Sequence, residues 1–229
     1  MSLRIDVWSD IACPWCYVGK RRLEAALARD GGAFTVTWHA FELDPSAPRV
    51  RDEAGTYAER LAAKYRTSTA QGQAMIDRMT DTAATDGIAM RFDQIRPGNT
   101  FDAHRLIHLG HERGMQDAVK ERFLRGYLCE GEPIGEPEVL VRLARDAGLD
   151  PAEVSDVVTT DRYAEDVRRD QAEARELGIT GVPFFVLGGR VGLSGAQTPD
   201  VITGAIAKAR ALAAAAPELA GEACGPDGC

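Results

Sequence analysis

Residues 1–27 read MSLRIDVWSDIACPWCYVGKRRLEAAL, and the cysteines at positions 13 and 16 sit where one periodicity gives way to another. Before them Leu3, Ile5 and Val7 alternate with Arg4 and Asp6, which is the two-residue period of a strand. After them Leu23, Ala26 and Leu27 recur at helical spacing until Gly31-Gly32 stops the pattern. Pro14 suits a first helical turn, where its missing N–H costs no hydrogen bond. The pair therefore falls at a strand-to-helix turn, with Cys13 at the helix start and Cys16 one turn inside.

That placement has chemical content. A thiolate is the form that attacks disulfides, and the positive end of a helix favours negative charge. The pattern predicts a partly exposed Cys13 that attacks and a Cys16, on the same helix face, that resolves the mixed disulfide. Two plainer readings compete: a pair of inert buried thiols, or half of a zinc site. A structural zinc site needs four ligands, and only Cys224 and Cys229 offer a second close pair, at an unusual spacing, with Cys129 alone. We expect no metal and no bound organic cofactor.

The rest of the chain organises around this turn. AFTVTWHAFEL repeats the alternation through Phe34, Val36 and Trp38 and gives a second strand, parallel to the first across a helical crossover. From Asp44 to about Leu177 the pattern is helical, ending with one run, DVVTTDRYAEDVRRDQAEARELG. Asp150-Pro151 marks a helix start within this block. Strand character returns in ITGVPFFVLGGRVGLSGAQ, with Gly188-Gly189 as a hairpin turn, and Thr198-Pro199-Asp200 opens a last helix that Pro217 closes.

Composition narrows the function. The 229 residues carry a formal net charge of -8, which disfavours nucleic acid and anionic membrane surfaces as partners. The one basic run, GKRRLEAALAR from Gly19, reads as a solvated helix face. No apolar stretch approaches the roughly 18 residues of a membrane span. MSLRIDVWSD reads directly as a strand rather than a leader, so the expected location is the cytoplasm. Five cysteines in a reducing compartment make any close pair catalytic or metal-binding rather than a staple. No apolar stripe is left over, and a monomer is expected.

VWSDIACPWC, a long helical block and the late GVPFFV together resemble the DsbA-like thiol-disulfide oxidoreductases, within them most closely the FrnE-type cytoplasmic branch. The resemblance runs nearly to Ala216. It implies an α/β, thioredoxin-like fold in two pieces, 1–44 and 178–216, with a helical domain inserted at 45–177 and a tail at 217–229. It also implies a cis Pro183 packed on the active-site sulfur, with Val182 offering its backbone to a substrate strand. Pro14 and Trp15 would complete this groove. NTFDAHR resembles an insertion element that faces the site, which would add Asn99, Phe101 and His104. His104 and His108 read equally well as ordinary helix residues, and His39 as a plain strand residue.

Trp15 carries no charge, so a couple milder than the strongest oxidants is expected, favouring reduction or shuffling of protein and peptide disulfides. Glutathione or a thioredoxin system would be the electron donor. In the tail, CGPDGC places a turn between Cys224 and Cys229, which could close as a second redox pair. Cys129 reads as a packed helix residue. The rivals are a glutathione-dependent isomerase or transferase of the same plan, and a metal-binding module built on Cys13, Cys16, Cys224 and Cys229.

Overall fold

A computed structural model describes residues 2–50 and 55–215. Cys224, Cys229 and Pro217 lie outside the described residues, and with them the expected tail pair.

The chain begins with β1 (Leu3–Ser9), α1 (Pro14–Asp30) and β2 (Phe34–Ala40). Among the described residues seven helices follow: α2 (Tyr57–Tyr65), α3 (Thr69–Thr85), α4 (Phe101–Glu112), α5 (Gln116–Glu130), α6 (Pro137–Asp146), α7 (Pro151–Thr159) and α8 (Ala164–Glu176). The chain then returns to the sheet through β3 (Phe184–Leu187) and β4 (Val191–Ser194), and α9 (Pro199–Ala215) packs against α1. The strand order is β2-β1-β3-β4. β1 runs parallel to β2, with Ile5 opposite Val36, and antiparallel to β3, with Ile5 opposite Leu187. An α/β sheet interrupted by a helical insertion is the plan the sequence resemblance implies.

Gly188 and Gly189 take left-handed φ values of 59° and 66°, and the Arg190 N–H donates to the Leu187 carbonyl at 3.2 Å. Two glycines make this turn cheap, and its twist matches the flanking strands. Three helices of the insertion, α2, α3 and α7, begin at polar side-chain caps. Thr56 and Ser68 each form reciprocal capping boxes with Glu59 and Gln71, and Asp150 accepts from the N–H groups of Ala152 and Glu153.

Three expectations need correction. The run from Asp156 to Gly178 is two helices, because the buried Arg105 guanidinium gathers the carbonyls of Val157, Thr160 and Arg162 and so ends α7; Tyr163 then turns with φ 63°. Alternation in β1 suggests an outward Asp6, yet Asp6 and Trp8 are buried under α8, since this strand is covered on both faces. The basic run is no solvated face at its first member: Lys20 is buried and paired with Glu24, Asp117 and Glu121.

Candidate active site

Cys13 is the N-cap of α1, in extended backbone with φ -96° and ψ 111°, and Pro14 takes the first helical position. The backbone N–H of Cys16 donates to the Cys13 carbonyl at 3.0 Å, which sets Cys16 one turn in. Both are free thiols. Cys13 is 5% exposed and Cys16 fully buried. Cys13 is thus the more accessible sulfur, but it lies on the floor of a groove instead of standing partly exposed.

The wall beside it is the expected one. Val182-Pro183 is a cis peptide bond just ahead of β3, and Cys13 Sγ donates to the Val182 carbonyl at 3.5 Å. Pro183 rests on α1 at Gly19, where an added Cβ would meet Pro183 Cγ at 2.8 Å. Only a hydrogen at position 19 admits the proline at this depth. The opposite wall comes from the insertion. Leu61, Met75, Met79 and Phe92, with Trp15, Tyr57 and Tyr65, enclose a largely apolar groove of about 550 Å³ that opens on Cys13. Lys64 and Arg78 stand on the same lining. Burial pushes the Tyr57 phenol up to about 12, so it stays neutral.

The electrostatics refine the expected order of charge. A hydrogen bond to Cys16, together with burial, holds the Cys13 proton well above the ordinary thiol range. Burial opposes charge on Cys16 as well, but the Cys13 hydrogen bond, Lys120 and the Asp10 N–H outweigh it and lower its pKa. That N–H lies 3.4 Å from Cys16 Sγ. The two sulfurs share one proton in the reduced pair, and these contacts favour negative charge on the inner one.

Under the pair lies a polar floor. Asp10 accepts from the N–H groups of Ala12 and Leu43 and stands 3.4 Å from His104 Nε2. Despite full burial, the His104 contact, the Leu43 N–H and the Lys120 charge keep its carboxyl below the usual range. His104 thus supports Asp10 from behind the cysteines and does not line the groove. Asn99 and Phe101 line a separate depression with Glu42, Arg168 and Gln171. The Asn99 amide turns back to the Ala47 carbonyl, which holds it away from Cys13.

Two groups escaped the sequence reading. Lys120 of α5 is fully buried, its Nζ donating to the Ser9 carbonyl at 3.2 Å. It falls on the apolar face of α5 with Val119, Phe123, Leu124 and Tyr127, and a cation at that angle was a legible anomaly. His39 lies between two carboxylates, 3.0 Å from both Asp6 and Asp170, and stacks on Trp8. Asp170 also meets His108 at 2.9 Å. No spacing joins positions so far apart. Ligand atoms of His39, Asp170 and Glu173 lie within 4.8 Å of one another, but both His39 nitrogens are already engaged by carboxylates. Cys129 is half-buried, its thiol pushed up to about 11 mainly by burial, which leaves it unreactive.

The comparisons with known proteins agree with this geometry. The sequence profile of the DSBA-like thioredoxin domain matches residues 4–207. The uncharacterized protein YwbO of Bacillus subtilis is 30% identical over 209 residues, 90% of this chain and 96% of its own. The crystal structure of the probable DsbA oxidoreductase SCO1869 from Streptomyces coelicolor superposes with a TM-score of 0.88 at 45% identity, covering 99% of this chain and 98% of that one. The cytosolic disulfide reductase DsbM of Pseudomonas aeruginosa shares the fold, with a TM-score of 0.55 at 17% identity over 92% of this chain and 97% of its own. A cysteine pair at the start of α1, a cis proline facing it and a profile match across most of the length lead to one conclusion: the chain belongs to the DsbA-like thiol-disulfide oxidoreductases.

Proposed function

We propose that the chain reduces or isomerises disulfides in protein and peptide substrates. The carrying observation is the stacking of Cys16 behind Cys13, with Cys13 facing both the Val182 carbonyl and an open apolar groove. Cys13 passes its proton to Cys16 and attacks the substrate disulfide; a mixed disulfide forms and one substrate sulfur leaves as thiolate. Cys16 gives that proton to the first substrate sulfur and attacks Cys13, forming the Cys13–Cys16 disulfide and releasing the second sulfur as thiolate. The substrate gains two electrons and the pair loses two.

The uncharged Trp15 between the cysteines favours a reductase or isomerase over an oxidase, because weak stabilisation of the reduced thiolate makes the disulfide less oxidising. Glutathione fits as electron donor: Lys64 and Arg78 on the groove offer cations to its carboxylates. Such a donor implies a reducing compartment, the cytoplasm. Cys16 behind Cys13 favours dithiol chemistry over that of a glutathione-dependent isomerase, which needs one thiol. Insulin reduction tests the reading. Cys13→Ser is expected to abolish turnover, and Cys16→Ser to halt with substrate attached at Cys13, visible by intact mass. Full activity in Cys13→Ser would overturn it.

A further inference from the structure

Resolution needs negative charge on Cys16 Sγ, a sulfur sealed from solvent, so a donor aimed at it must be in place before the charge arrives. We propose that Asp10 is the positioning residue of this step: its buried carboxylate fixes the turn ahead of α1 so that its own backbone N–H stays on Cys16 Sγ. The inference rests on the dithiol chemistry above.

Asp10 uses every polar group it has on this turn. Its N–H donates to Cys16 Sγ at 3.4 Å, and its carbonyl accepts the Cys13 N–H at 3.4 Å, closing a turn over Ile11 and Ala12. Its Oδ1 accepts the Ala12 N–H at 3.3 Å, so the side chain locks the same turn from within. Its Oδ2 accepts the Leu43 N–H at 2.8 Å, from the chain that leaves β2 for the insertion, and His104 Nε2 of α4 stands 3.4 Å from Oδ1. Asp10 and His104 are both buried. One carboxylate thus ties the cysteine turn to two distant segments, and the N–H beside it inherits their rigidity.

Asp10 can act on Cys16 in two ways of opposite sign. As a bare charge, a carboxylate opposes a nearby thiolate. As a clamp, it holds an N–H against the sulfur in an interior where no water can replace that donor, and where a hydrogen bond to a charged acceptor is strengthened. The geometry favours the clamp: the N–H lies on the sulfur, while the carboxylate is turned to Ala12, Leu43 and His104. The remaining groups that act on Cys16 are Cys13 and Lys120 of α5, whose charge favours ionisation of Cys16 and Asp10 alike.

Reaction of the reduced chain with excess Ellman's reagent, followed by stopped flow across pH, separates the steps. Cys13 attacks and releases one thionitrobenzoate in a phase that quickens with reagent; Cys16 then displaces the second in a phase independent of reagent. A single equivalent from the wild-type chain would refute the dithiol reading itself. Given two equivalents, the variants test Asp10 alone. Asp10→Ala removes clamp and charge, and Asp10→Glu keeps a charge whose oxygens stand one methylene too far. Both are expected to slow the second phase roughly tenfold at neutral pH and displace its profile to higher pH. Asp10→Asn, which keeps one acceptor oxygen, is expected to fall between Asp10→Ala and the wild type. A second phase in Asp10→Ala as fast as wild type, or faster, overturns the proposal; faster release with Asp10→Glu unchanged would assign the carboxylate to charge alone. Should the variants fail to fold, amide NMR of the wild-type chain decides. The Asp10 amide proton is expected to move as Cys16 ionises, tracking the Cys16 Cβ signal across pH, and an Asp10 amide that ignores that titration overturns the role.

Discussion

Gly19 looks like an accident of a helix and is a requirement of the site. Its missing side chain leaves the room that Pro183 occupies, since a Cβ would sit 2.8 Å from Pro183 Cγ and 3.3 Å from Phe185 Cζ. Gly19→Ala is expected to push the proline off α1, lowering stability by about 1–3 kcal/mol and slowing mixed-disulfide formation. Urea unfolding and the rate of alkylation at Cys13 check both; wild-type values in each would show that the contact relaxes freely. At this scale the sequence was informative where local rules act. The thiols, Pro14 and the strand-entry proline were legible because turn chemistry and helix starts depend on near neighbours. The location of charge on Cys16 was not, because Lys120 reaches it from a distant helix.

Between elements, one buried ion network ties sheet to insertion. His39 of β2 bridges Asp6 of β1 and Asp170 of α8, and Asp170 also holds His108 of α4 and the Ala40 N–H. Burial opposes the His39 charge, but the two carboxylates prevail and raise it to about 9. The folded value lies above the unfolded one, so this stabilisation is complete below about pH 6.5 and fades as pH rises toward 9. Asp170 is held below the usual carboxylate range despite burial, and its share is lost as pH falls through the acid region. Asp170→Asn is expected to cost about 3–5 kcal/mol. The difference in unfolding free energy between wild type and variant should shrink from pH 6.5 to 9; a difference that stays constant would remove His39 from the account. The alternation of β2 located the strand, but no local rule pairs His39 with an aspartate on α8. The break between α7 and α8 was hidden for the same reason, since Arg105 of α4 imposes it.

Across the whole molecule, stability is distributed unevenly. α2 buries only Ala58 and Ala62, while α4 and α5 bury much of their length in the continuous core. α2 packs chiefly on α3, and α3 meets α1 through a few contacts such as the Arg22–Asp86 pair. We expect amides of α2 to exchange with deuterium at least about tenfold faster than those of β1 and α4. Equal protection throughout would mean that the groove wall is as rigid as the core. Wholesale architecture was readable because strand and helix periods alternate cleanly along the chain; the groove's far wall was not, because its apolar residues look like any amphipathic helix.

The pairing of Ile5 with Leu187 has a consequence for synthesis. β1 is made first, yet its antiparallel neighbour leaves the ribosome only after the whole insertion has emerged. Until then the nascent CPWC turn has no Pro183 beside it. The ribosome-bound chain therefore presents two unguarded thiols, and the pair acquires its redox character only when the last strands close the sheet.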